Sequence, residues 1–427
     1  MVLENFIDTL QKVIDRTPVE QVITTQVGDL LPPVKRMLTN FVVKQVRKLV
    51  PDWHLPRSIP LPQAMKSGAQ LSFTPPDLGH ADTAFLQYTG GTTGLSKGAE
   101  LTHGNIVANL EQAKAMIAPS MEEGKEVIVT ALPLYHIFAL TVNCLVFVTL
   151  GARNLLITDP RKMPAFVQEL GKYPFTVITG VNTLFNGLLN TPGFAELDFS
   201  TLKFALGGGA AVQQAVADRW GEVTGKPLTE GYGLTETSPI AAMNPLDNPA
   251  AGRIGIPLPS TEFSIRDEAG NELPVGEAGE LCIRGPQVMR GYWNKPEENA
   301  RVFTHDGFVL TGDIAVADEE GFFRIVDRKK DMILVSGFNV FPNEIEDVAA
   351  RHPGVLECAC IGVPDERSGE AVKLFVVKKD HALDAETLQQ FCKEHLTGYK
   401  VPRLIEFTDE LPKSNVGKIL RKDLRQN

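Results

Sequence analysis

Between residues 175 and 224 the chain alternates short apolar runs with stretches of helical periodicity, and this alternation restricts the fold more than any other feature. Residues 175–179 predict a strand, 181–190 a helix, 204–208 a second strand and 212–224 a second helix. Strands separated by helices of this length pair in parallel, with the helices on the sheet faces. The expected class is therefore α/β. In open α/β sheets ligands gather at the carboxyl ends of strands, and here those ends have unusual composition. Gly207-Gly-Gly-Ala-Ala follows one strand, and Thr229-Glu-Gly-Tyr-Gly-Leu-Thr-Glu-Thr follows another. Glycines at 207–209 permit close backbone approach to a flat ring, and Tyr232 offers an aromatic face. Thr235 adds a hydroxyl donor, and Glu236 a hard oxygen suited to Mg²⁺ on a nucleotide.

A second unusual stretch is Tyr88-Thr-Gly-Gly-Thr-Thr-Gly-Leu-Ser-Lys-Gly-Ala-Glu-Leu-Thr-His103, delivered by a short apolar strand at 84–88. Its glycines Gly90, Gly91, Gly94 and Gly98 alternate with Thr89, Thr92, Thr93, Ser96 and Lys97. Such a loop lets backbone N–H groups close around an anion, and a lysine in it is a point charge for phosphate oxygens; a flexible polar surface loop is the other reading. Ser96 and Gly98 on either side of Lys97 exclude a Walker A loop. Residues 104–109 start a helix whose N-terminus is expected to face the loop.

With 427 residues there is material for two or three domains, and a formal charge of −10 argues against a nucleic-acid partner. The five cysteines form no C-x-x-C pair and read as reduced thiols of a cytosolic protein. The opening Met-Val-Leu-Glu-Asn-Phe does not read as a signal peptide. Residues 7–15 predict a helix and 19–27 a strand. Residues 34–50 predict an amphipathic helix that carries Lys35, Arg36, Lys44, Arg47 and Lys48 and no acid. Two readings stand for it: a core-docked helix with a solvated basic face, or one that lies on an anionic membrane. Residues 56–76 read as an irregular proline-rich linker. The apolar stretch 127–150 is broken by Pro133, His136 and Asn143, too soon for the roughly 20 apolar residues of a span. It reads as buried strand, loop and buried helix. From residue 253 short strands and turns predict a small β-rich subdomain, and the run of five charges at 327–331 an exposed connector. Pro342 opens a helix with Ile345, Val348 and Ala349 inward, and βαβ-like segments follow to the C-terminus.

These stretches, in this order, resemble the adenylate-forming (acyl-activating) superfamily, and the block from Thr311 to Glu346 is similar to the fatty acyl-CoA synthetase signature. Gly91 and Ser96 replace the serine and proline usual in the family's ATP loop. The resemblance implies a large adenylation domain at 1–329, with the β-rich subdomain at about 253–329, and a small mobile α+β lid at 330–427. It implies long-chain fatty acid–CoA ligase activity, with ATP and CoA as cosubstrates and Mg²⁺ as cofactor. It assigns nucleotide contacts to Thr89, Gly90, Gly91, Thr92, Thr93, Gly94, Lys97, Gly208, Gly209, Glu230, Gly231, Tyr232, Gly233, Thr235, Asp313 and Arg328. Asp313 meets the ribose, helped by Arg328. Glu236, with Thr89, holds the metal. His136 stands near the acyl carbonyl, Lys330 is the hinge, Ser336 and Gly337 border the CoA path, and Lys418 is the catalytic lysine, with Lys413 the alternative. The implied location is cytoplasmic with peripheral contact at the inner membrane face, and a homodimer is left open. The family's leading segment is not among the residues before Tyr88, so incomplete folding of the larger part is an expectation. Readings kept beside this one are a fatty acyl-AMP or carrier-loading ligase, a luciferase-like monooxygenase and an inactive nucleotide-binding fragment.

Overall fold

Seven strands make the principal sheet, in the order Ile256–Pro257, Ile240–Met243, Leu228–Gly233, Phe204–Gly207, Val177–Gly180, Val127–Thr130, Arg153–Leu156. The last five pair in parallel, and the first two turn antiparallel at one edge. Every residue of Val177–Gly180 and Phe204–Gly207 is buried, as expected for strands covered on both faces. The helix Asn182–Leu189 explains one cover: Leu184, Phe185, Leu188 and Leu189 fall on one buried stripe, against Trp220 of the helix Gln214–Thr224. The α/β alternation expected at 175–224 is the observed one. This computed structural model describes residues 1–89, 96–249 and 252–425. Its chain divides into two compact units, Met1–Leu78 and Gly79–Asn427.

In the second unit, Thr83–Thr89 and Lys97–Thr102 form an antiparallel hairpin, extended by Gly291–Tyr292. Thr102 caps the helix His103–Ile117 in a reciprocal capping box with Asn105. The glycine loop that this helix was expected to face lies, at residues 90–95, outside the described residues; the strand Lys97–Thr102 leads from it to the helix. Glu262–Arg266, Gly279–Arg284, Val309–Ala317 and Phe323–Arg328 form an antiparallel four-stranded sheet.

The C-terminal sheet is built on the long hairpin Val355–Asp365 with Gly369–Lys378; the helix Ala385–His395 then returns the chain to Leu404–Phe407, parallel to the second strand. Ile345, Val348 and Ala349 of the helix Pro342–Ala350 are buried against it. The charged run 327–331 is exposed at Arg328, Lys329 and Lys330, as expected, but not at its two ends. Asp327 is wholly buried and Asp331 nearly so, because Arg421 reaches both, with N···O distances of 3.2 and 3.6 Å. Buried carboxylates persist where a guanidinium pairs with them.

In the first unit, Val2–Leu3, Val22–Thr25 and Ser58–Pro60 pair in parallel. The stretch read as a linker holds the last of these strands and the helix Leu61–Gly68, with proline in its first turn. The basic helix runs as Pro33–Phe41 and continues through the wider turns Val42–Val46, four residues short of its expected end. No residue in it is buried, and Val34, Met37, Leu38 and Phe41 are each more than half exposed.

Candidate active site

The strands Phe204–Gly207 and Leu228–Gly233 end side by side, and both continue into glycines. A Cβ at Gly208 would stand 3.2 Å from the Phe138 ring and 3.3 Å from the Gly231 carbonyl. Gly209, with φ of +79°, has less room still: a Cβ there would lie 2.9 Å from Cε of Lys418 and 3.2 Å from its Nζ. The lysine more than 200 positions downstream is therefore seated on the glycine turn of the sheet. It is delivered by a tight hairpin in which Lys413 and Ile419 pair. The Ser414 N–H donates to the Lys418 carbonyl at 2.8 Å, and the Gly417 N–H to the Ser414 carbonyl at 2.9 Å. Burial lowers the Lys418 pKa to about 8, with nearby Arg328 adding to the effect and Asp313 opposing it. Lys413 points elsewhere, bound to Glu357 at 2.7 Å.

Asp313 lies on the strand Val309–Ala317 and is buried. One oxygen accepts the Tyr232 hydroxyl at 2.7 Å, and the other is 3.4 Å from Nε of Arg328. Burial raises the Asp313 pKa, while Arg328 and Tyr232 oppose the rise. The Tyr232 pKa is driven far up, first by burial and then by the Asp313 charge, so its hydroxyl remains a donor. His136 follows Pro133 and precedes the buried segment Ala139–Val146. Burial, and then the Lys418 charge, lower its pKa to about 4, so the ring is neutral at pH 7. Its Nδ1 accepts the Phe138 N–H at 3.3 Å. The proton of the neutral ring is accordingly on Nε2.

Glu236 sits in the short turn Thr235–Thr237 beyond Gly231 and Gly233, and one of its oxygens accepts the Tyr292 hydroxyl at 2.6 Å. Among the described residues no group of three His, Cys, Asp or Glu gathers around a point. A lone carboxylate fits Mg²⁺, which keeps several waters and takes its remaining oxygens from substrate phosphates. Lys97 opens the strand after the glycine loop; its ammonium is paired with Glu298 and lies 5.2 Å from the centre of the Tyr292 ring. Thr89 ends the preceding strand, and its hydroxyl donates to the Lys97 carbonyl at 3.4 Å. Gly90, Gly91, Thr92, Thr93 and Gly94 lie outside the described residues. Glu230 is buried and its pKa is raised to about 7 by burial, although the Val212 and Gly252 N–H groups oppose this.

The structure thus brings Lys418, Gly209, His136, Tyr232, Asp313 and Arg328 into one electrostatic neighbourhood. It does not bring Ser336 and Gly337 there: they form the exposed tip between Ile333–Val335 and Phe338–Val340, and the Ser336 N–H donates to the Ser368 carbonyl. Lys330 lies in the turn Lys329–Asp331. Sequence reasoning missed Tyr292, which orients Glu236, and Glu298, which neutralises Lys97. Both belong to the segment Gly291-Tyr-Trp-Asn-Lys-Pro-Glu-Glu, whose aromatic and acidic residues were the available signal. Their partners are 56 and 201 positions away, beyond any local pattern.

Comparison with known proteins agrees with this geometry. A family model described as AMP-binding enzyme matches residues 7–293, and the AMP-binding enzyme C-terminal domain matches residues 344–418. A long-chain-fatty-acid–CoA ligase of Escherichia coli O6:H1 is 59% identical over 426 residues, which is all of this chain and 76% of that protein. The ligase of the same description from Haemophilus influenzae is 53% identical over 428 residues, with the same coverage. Among solved structures, ATP-bound MatB from Rhodopseudomonas palustris superposes with a TM-score of 0.78 at 31% identity, over 95% of this chain and 78% of that one. The chain belongs to the AMP-binding enzyme family, in the branch that holds the bacterial long-chain-fatty-acid–CoA ligases.

Proposed function

We propose that this chain activates a long-chain fatty acid with ATP to an acyl-adenylate and passes the acyl group to CoA as a thioester. The observation that carries the reading is the seat of Lys418 against Gly209, beside Asp313, Arg328 and His136. In the first half-reaction a carboxylate oxygen attacks the α-phosphorus of ATP, the bond to the bridging oxygen breaks, and pyrophosphate leaves. Catalysis of such a transfer is mainly positioning and charge neutralisation. Lys418 spans the carboxylate and the α-phosphate. The Gly208–Gly209 turn and the Tyr232 face hold the adenine, Asp313 with Arg328 the ribose, and the 89–97 loop the β and γ phosphates. Glu236 and Thr89 are the residues that would hold Mg²⁺, whose chemistry there is to neutralise phosphate charge.

In the second half-reaction the CoA sulfur attacks the acyl carbon, the thiol proton passes to solvent and AMP leaves. Rotation about Lys330 withdraws Lys418 and brings the Ser336–Gly337 turn to the site, so one pocket serves both steps. His136, whose Nδ1 accepts the Phe138 N–H, presents Nε2–H as a hydrogen-bond donor to the acyl oxygen as negative charge develops there. The test is AMP formation assayed across fatty acids of graded length, with and without CoA. Dependence on both a long-chain acid and CoA is expected; release of acyl-AMP as final product would overturn the reading.

The helix Pro33–Phe41 supports a finer statement, peripheral contact with the anionic inner face of a membrane, where such acids partition. Its exposed apolar stripe and five basic neighbours suit that surface. Among the described residues no helix is long and apolar enough to cross a membrane. Changing Lys35, Arg36, Lys44, Arg47 and Lys48 to glutamine should abolish salt-sensitive co-sedimentation with anionic vesicles; unchanged sedimentation would exclude this contact.

A further inference from the structure

Two hydrogen bonds join the helix Asn182–Leu189 to the C-terminal domain. The Thr183 hydroxyl donates to the Gly417 carbonyl at 2.8 Å, and Nδ2 of Asn186 donates to the Leu356 carbonyl at 2.8 Å. The two donors are three positions apart, so they share a helix face. That face is opposite to the stripe of Leu184, Phe185, Leu188 and Leu189, which is consumed by the core. The fit at Gly417 is close. With φ of +83°, a Cβ there would lie 3.1 Å from the Thr183 hydroxyl and 3.3 Å from Cγ2 of Val181. The next residue is Lys418, which fills the space that a side chain at Gly209 would need.

We infer that Thr183 and Asn186 are positioning residues: they form the seat that holds the C-terminal domain where Lys418 enters the site. Neither touches the reacting atoms. They act on the fraction of molecules with Lys418 in place, and only the adenylation step needs that arrangement. A step that requires the domain to leave gains nothing from the seat. The inference rests on the two-step reading above, and its test separates the two.

Thr183→Val removes the donor at constant shape, and Asn186→Leu removes the second. Pyrophosphate release from ATP and fatty acid should fall about fivefold for each, the value of one net hydrogen bond, and further in the double variant. Thioester formation from supplied acyl-AMP and CoA should stay at the wild-type rate or rise, with the melting temperature unchanged. A readout independent of chemistry is trypsin cleavage after Lys329 and Lys330, which should quicken in both variants as the docked domain is released. Faster cleavage with a selective loss of adenylation supports the seat. Unchanged cleavage, or equal loss of both half-reactions, overturns it. If cleavage quickens while the wild-type protein forms no acyl-AMP, the docking contact stands but the proposed chemistry, and with it the catalytic role of the seat, falls.

Discussion

Two lysines were expected to meet phosphate, and the regions that carry them solve the same electrostatic problem in opposite ways. Lys97 stands at the mouth of the 83–102 hairpin, partly exposed, with its charge already matched by Glu298. Lys418 is carried in on a separate hairpin and lodged in the sheet turn, where burial and Arg328 lower its pKa to about 8. Among the described residues no carboxylate pairs with it within 4.0 Å. A matched surface cation contributes little until its partner is exchanged for a phosphate. A buried, unmatched one is held at a cost that an incoming anion relieves. In the mechanism proposed above, this difference suits Lys97 to binding and Lys418 to the step in which charge moves.

The largest effect is expected at the buried lysine. Lys418→Ala should slow pyrophosphate release on mixing with ATP and fatty acid by about 10²–10³, the usual loss of one transition-state charge contact. A loss below tenfold would erase the distinction between the two lysines. At the hairpin, Lys97→Ala should raise the KM for ATP about tenfold with a smaller change in kcat. Glu298→Gln, which frees the same ammonium, should lower that KM by a few-fold, and a rise instead would mean that Glu298 positions Lys97 for the phosphate.

The proton balance sharpens the contrast. Lys418 is a cation at neutral pH and loses its proton as pH rises through about 8. Adenylation by the free enzyme, followed as kcat/KM, should therefore fall on the alkaline side, and Lys418→Arg should move that limb beyond the accessible range. The smallest effect concerns folding. His136 has a folded pKa of about 4, below the ~6.5 of an unfolded histidine. The unfolded chain then binds the extra proton, so the contribution of His136 to stability is complete above ~6.5 and is lost as pH falls towards 4. His136→Gln should flatten the melting temperature over that interval.

The principal sheet was legible in the sequence because its strands are continuous apolar runs between helices of clear periodicity, as at Val177–Gly180 and Asn182–Leu189. The C-terminal helix Pro342–Ala350 announced itself through proline at its start and Ile345, Val348 and Ala349 at helical spacing. What could not be read was burial that depends on distant charge. The run 327–331 looks solvated until Arg421, some 90 positions away, is folded onto Asp327 and Asp331. The small strand Ser58–Pro60 and the helix Leu61–Gly68 were hidden by their prolines, which open the helix rather than break it. At the site, glycines and titratable residues stood out singly. That Tyr232 donates to Asp313, or that Gly209 faces Lys418, is a property of the fold and not of spacing.

The most direct test of the account is a single-turnover measurement of thioester formation by Lys418→Ala, started from purified fatty acyl-AMP and CoA. If Lys418 serves only the adenylation step and is withdrawn before the thiol attacks, the variant should form acyl-CoA within about twofold of the wild-type rate, although it barely makes the adenylate itself. A fall in this second step as large as that in the first would contradict the account, and would mean that Lys418 remains in the site throughout the reaction.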